Sequence, residues 1–183
     1  MMSRNETIPY SPSEAEKARA LADVYYELQQ VWASSHLSSN DPLVTNAFVE
    51  SYLVHVRVLL DFFERRQRST FRDGSEIQEN DDVLSADFGF APRPIDLARI
   101  YRERLNKDLV HLAYARGHRL AESRGWPKGD VVIPIVARGI ELIDFMGNRR
   151  LAPSPGISLA DWMLLRERLE ELRRAFQGSR TDT

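Results

Sequence analysis

Apolar residues recur along this chain at spacings of three and four, the period of a helix with one buried face. Ala18, Leu21, Val24, Tyr25, Leu28, Val31 and Trp32 follow that spacing. Ser13 and Glu16 stand before them as a capping box, so a first helix is expected from there to about Ser34. Asn40-Asp41-Pro42 reads as a stop and restart, with Asp41 as N-cap and Pro42 at the first helical position. The second helix is expected over about 42–66. Phe48, Tyr52, Val56, Leu59, Leu60 and Phe63 form its wide apolar face, and Glu50, Arg57, Asp61 and Glu64 its opposite, polar face.

The pattern breaks over 65–94. This stretch is charged, carries an Asp-Gly turn signal and ends on Pro92 and Pro94. A one- or two-turn helix within VLSADFGF would be capped by Asp81 or Asp82. So long a loop inside one domain is often functional, and it is long enough to act as a lid. A third helix is expected from near Pro94 to about Gly117, with Leu97, Tyr101, Leu105, Leu109 and Leu112 as its apolar arc. The β-branched start of VVIPIVARGIELIDFMG also fits a strand. No partner strand is evident and Asp130 fits an N-cap, so a helix over about 130–146 is expected, with Pro134 in its first turn. Ser158 and Asp161 open the last helix, whose Trp162, Leu165, Leu169, Leu172 and Phe176 make a bundle or dimer seam. The reading is an all-α bundle of about five helices with a long loop between the second and third. Residues 13–177 form its single domain, between a flexible N-terminal segment (1–12) and a flexible tail (178–183).

Composition narrows the chemistry. The 183 residues include no cysteine, which excludes disulfides, thiolate metal sites and a cysteine nucleophile. The net charge of -2 argues against a broad electrostatic grip on nucleic acid or an anionic membrane. Only Lys17, Lys107 and Lys128 among the 25 basic residues are lysines. Arginine excess fits GC-rich coding, and also planar, bidentate anion binding. The N-terminus shows no targeting segment and no apolar run reaches the ~18 residues of a spanning helix, so a cytoplasmic location without membrane association is expected.

The histidines are the candidate acid–base groups. His36 falls in a Ser-rich loop, His118 at a helix end, and His55 on the apolar face of the second helix, where a hydrogen-bonded core role is expected. His111 is the most informative. Arg104 and His111 are seven residues apart, two helical turns, with Lys107 on the same edge. A guanidinium clamps a phosphate bidentately, and an imidazole of pKa about 6.5 moves a proton near neutrality. Attack of an RNA 2′-hydroxyl on its own phosphate needs those two roles and no metal. The competing reading is an exposed helix edge with an Arg104–Asp108 pair. Glu50 or Asp61 could hold the imidazole or position Arg104 if the polar face of the second helix turns that way, and an Arg57–Asp61 salt bridge is the plain alternative. A metal site from His55, His111, Asp81, Asp82 and Asp87 has no supporting spacing and no Glu-x-x-His, so no metal or other cofactor is expected.

At Arg104-Leu-Asn-Lys-Asp-Leu-Val-His111 the chain resembles the HEPN superfamily (higher eukaryotes and prokaryotes nucleotide-binding), small all-α bundles with an Arg-x4–6-His motif late in a helix. Six residues intervene here. The resemblance implies a metal-independent endoribonuclease of toxin–antitoxin or phage-defence type, with a site composed across a homodimer. It implies RNA as substrate and an antitoxin or defence protein as partner. Arg104 would be the phosphate clamp, His111 the general base or acid, Asn106 the orienting polar residue and Tyr114 a stacking or hydrogen-bonding neighbour. Two departures stand out: Asn106 lies one place later than the usual polar residue, and Tyr114 three residues after the histidine rather than two. The alternative function is a catalytically silent all-α binding or scaffold module that dimerises or pairs with a partner, or, more faintly, a small-molecule pocket lined by Trp32, Trp126 or Trp162.

Overall fold

The computed structural model describes residues 6–107, 126–149 and 154–178. Among these, five α-helices form the bundle: α1 (Glu14–His36), α2 (Pro42–Glu64), α3 (Arg99–Lys107 in its described part), α4 (Lys128–Arg149) and α5 (Leu159–Gly178). The expected all-α bundle is the architecture found. Its starts are set by the local signals in the sequence. The Ser13 hydroxyl accepts from the Glu16 amide while Glu16 accepts from the Ser13 amide at 2.7 Å. Asp41 accepts from the Leu43 amide at 2.8 Å, with Pro42 behind it. Ser158 and Asp161 repeat the reciprocal box at the start of α5.

The centre of the bundle is α4, in which Val131, Val132, Ile135, Val136, Ile140, Leu142, Ile143 and Met146 are all buried. Burial on nearly every side explains why this stretch lacks a clean amphipathic stripe and imitates a strand. It begins at Lys128, before the expected 130. The amides of Asp130 and Val131 bond back to the Pro127 carbonyl, so Asp130 lies inside the first turn instead of capping it. Pro134 sits seven residues into the helix, beyond its first turn. At Gly139 α4 lies so close to α1 that a Cβ would stand 2.6 Å from Leu28 Cδ2.

Three differences from the expected plan have physical causes. First, a small sheet is present, ordered β1-β3-β2: β1 (Thr7–Ile8), β2 (Thr70–Asp73) and β3 (Glu76–Glu79). β2 and β3 are antiparallel, with Thr70 opposite Glu79 and Asp73 opposite Glu76, and Gly74 turns between them at φ +60°. β1 joins β3 in parallel, Thr7 opposite Ile77, so part of the segment expected to be flexible is paired. Second, α3 begins at Arg99, not near Pro94. The Glu64 carboxylate takes the Ile95 amide, and Arg102 donates to the Ile95 and Leu97 carbonyls. These bonds use the backbone groups a longer helix would need. Third, the 3-10 turn at Ser85–Phe88 is held by Asp87, which accepts from the Leu84 amide at 2.9 Å; Asp81 and Asp82 do not cap it.

The 65–94 segment is anchored at both ends. Phe88 and Phe90 enter the core beside Phe62, Phe63 and Phe145. Buried Arg138 stacks on Phe90 at 3.9 Å and donates to the Ala91 carbonyl and to Glu141, which also pairs with Arg93. Nearer the sheet, Arg68 and Asp87 form a largely buried ion pair at 2.6 Å. By length and composition alone α2 is long and apolar enough to cross a membrane, which differs from the expectation that no apolar stretch reaches that length.

Candidate functional site at the start of the third helix

The first turns of α3 carry Arg102, Arg104, Asn106 and Lys107. Successive positions on one helix point Arg102, Arg104 and Asn106 in different directions, and their surroundings differ accordingly. Arg102 reaches the end of α2, where its two terminal nitrogens meet Glu64 at 2.6 and 2.7 Å. That bidentate bond, opposed by burial, holds the Arg102 guanidinium above its ordinary pKa.

Arg104 points inward and is 6% exposed. Its guanidinium carbon stands 4.1 Å from the centre of the Trp126 ring. Burial pushes its pKa down, against the opposing influence of Tyr101 and Tyr52. Tyr52 is fully buried on α2, and its hydroxyl has no hydrogen-bond partner among the described residues. Burial drives that phenol far above its ordinary range, with Arg104 pulling the other way. On the far side, Lys128 lies 5.9 Å from the centre of the Tyr52 ring and donates to the Ser35 and Leu37 carbonyls at 3.3 and 3.4 Å. It thereby closes the C-terminal end of α1, where a cation is favoured. Tyr101 donates to Asp130 at 3.3 Å. The cluster thus places two cations around a buried phenol, but the face of Arg104 is taken by an indole.

The remaining expected residues are dispersed. Asn106 is exposed on the same helix. Lys107 is on the helix too, and His111 and Tyr114 lie outside the described residues, as does Asp108. Asp61 pairs with Arg65 at 3.0 Å, not with Arg57. Glu50 is exposed on α2 and has no hydrogen bond or ion pair to any described residue. Glu64, at the end of α2, does reach α3, and it serves Arg102. The sequence put Glu64 on the correct polar face; nothing in the motif pointed to its partner. Trp126 stands against Arg104.

His55 meets Glu27 of α1 at 2.7 Å and touches Tyr26 edge-on, a half-buried polar contact between α1 and α2. His36 closes the last turn of α1, on the Trp32 carbonyl, and is not in a loop. The three tryptophans are apart: Trp162 is in the core against Tyr25, Trp32 lies under Arg168, and Trp126 under Arg104. Among the described residues no three potential metal-ligating side chains come together. A family-model scan, a comparison with curated proteins and a comparison with solved structures each found no match to this chain.

Proposed function

We propose that this chain is a helical binding or scaffold module that works by association, with Arg104 as a structural residue. The observation carrying this reading is the burial of Arg104 under Trp126. A phosphate clamp has to present its nitrogens to a ligand in a cleft. Arg104 is 6% exposed and its guanidinium carbon stands 4.1 Å from the Trp126 ring centre, an arrangement that serves packing.

A second reading, the HEPN-like endoribonuclease, draws support from one specific feature. Arg104 and Lys128 are the cations near the buried Tyr52 phenol, and Arg104 stands on the helix that leads toward His111 in sequence. In that reading Arg104 steadies the phosphate, His111 moves the 2′-hydroxyl proton, and Asn106, Lys107 and Tyr114 support them. An antitoxin or defence protein would be its partner.

Incubation of a mixed RNA pool with purified protein in EDTA separates the two. The binding-module reading expects intact RNA from wild type and from His111→Ala alike. Cleavage to cyclic or 3′-phosphate ends by wild type, lost in His111→Ala, would establish the nuclease instead.

A further inference from the structure

α2 has two apolar faces, and among the described residues only one of them is buried in the bundle. Tyr52, Leu53, Val56, Leu59, Leu60, Phe62 and Phe63 are buried in the bundle. On the outer side Val44, Ala47, Ser51, Val54 and Val58 recur at steps of three, four, three and four. At about 100° per residue these five fall within an arc of about 80°. Val44 is 40% exposed, Val54 46% and Val58 45%, with Leu43 beside them at 78%. A seam of small and β-branched side chains at this spacing is the pattern by which one helix receives another.

The charges beside the seam identify its occupant. Glu50 and Arg57 are seven residues apart and therefore on the same flank. Among the described residues neither makes a hydrogen bond or ion pair. Asp61, four residues after Arg57, is turned instead to Arg65. A two-fold axis perpendicular to α2, passing near Val54, would bring a second α2 onto the first in the opposite direction. Such an axis keeps each residue on its own flank and reverses the order along the helix. Glu50 then faces the second copy's Arg57, and Arg57 faces the second copy's Glu50. The seam is self-complementary, as an isologous contact must be.

We propose that a second copy of this chain docks on α2 through Val44, Ala47, Val54 and Val58, antiparallel, with reciprocal Glu50–Arg57 pairs. This rests on the binding-module reading for its purpose but not for its geometry, and it is measured without RNA. A dimer can therefore fail while RNA remains uncut, and RNA cleavage can appear while the dimer holds. One helix pair of four turns is at the small end of stable interfaces, about 1,200 Å² in total, so a dimer dissociating at about micromolar concentration is expected.

Sedimentation equilibrium of the full chain tests it. Wild type should dimerise. Val54→Asp, Glu50→Arg and Arg57→Glu should each weaken the dimer at least about tenfold, with the helical circular dichroism unchanged, because all three positions lie outside the core. The double variant E50R/R57E should recover the dimer, since it only exchanges the two charges. An equimolar mixture of Glu50→Arg and Arg57→Glu should form a mixed dimer, because each copy then faces opposite charges at both pairs. Wild type that stays monomeric to about 100 µM overturns the proposal, whether or not it floats with phosphatidylglycerol vesicles. So does a dimer indifferent to all three single variants, or single variants that do not associate when mixed.

Discussion

Arg102 and Arg104 are two residues apart on one helix, and they sit in different surroundings. Arg102 is answered by charge: Glu64 meets it bidentately while the same carboxylate holds the Ile95 amide. Arg104 is buried, with its guanidinium over the Trp126 ring and Tyr52 nearby. The carboxylate raises the pKa of Arg102, whereas burial lowers that of Arg104. An arginine in a motif therefore predicts a cation, but not what the cation does. Motif matching selected Arg104 because of its distance from His111. Arg102, two residues earlier, is the one that Glu64 binds.

The largest effect should come from Glu64→Gln. It weakens both bonds to Arg102 and the bond to Ile95, and so loosens the end of α2, the 95–97 strap and the start of α3 together. The pair is partly solvated, with side chains 30% and 22% exposed, which screens some of the attraction. A loss of about 2 kcal/mol in urea unfolding is expected, and it should shrink in high salt. A loss below about 0.5 kcal/mol would mean that Glu64 does not organise this junction.

Trp126→Ala should come next, at roughly 1–2 kcal/mol, from lost burial and the lost stack on Arg104. Its distinguishing mark is insensitivity to salt, since an indole face has no counterion to lose. Combining it with Arg104→Ala should give far less than the sum of the single losses. Full additivity would separate the two residues and remove the argument that Arg104 is held by Trp126.

The same contrast explains what was legible in the sequence. The starts of α1, α2 and α5 were readable because Ser13–Glu16, Asp41–Pro42 and Ser158–Asp161 act within one turn of themselves. The inner face of α2 was readable because periodicity records burial. The sheet was not: TFRD and EIQE are polar, and their strands lie at the surface, so no alternation marks them; only the Asp-Gly turn left a trace. The delayed start of α3 depends on Glu64, 31 residues before Ile95. The partner of Arg104 depends on Trp126, 22 residues later in the chain. Contacts of that range are products of the tertiary fold, and no local rule contains them.

The smallest expected effect concerns a third way of holding a charge, at Asp82. Here the main support is a hydroxyl: Ser69 donates from its side chain and from its amide, and Arg65 adds a cation at 3.2 Å. The Ser69 hydroxyl bond is the main cause that holds the Asp82 carboxyl below its ordinary 3.8, with burial opposing it. A carboxyl with a lowered folded pKa contributes stability that is complete above its unfolded value. That contribution fades as the pH falls from about 4 through the folded pKa. Asp82→Asn should therefore cost a few tenths to about 1 kcal/mol at pH 7 and flatten the acid limb of the stability profile. Ser69→Ala should reproduce most of that flattening, and Arg65→Ala less of it. Equal effects from the two would make Asp82 a second case of the Arg102 type, a carboxylate governed by its arginine rather than by a neutral donor.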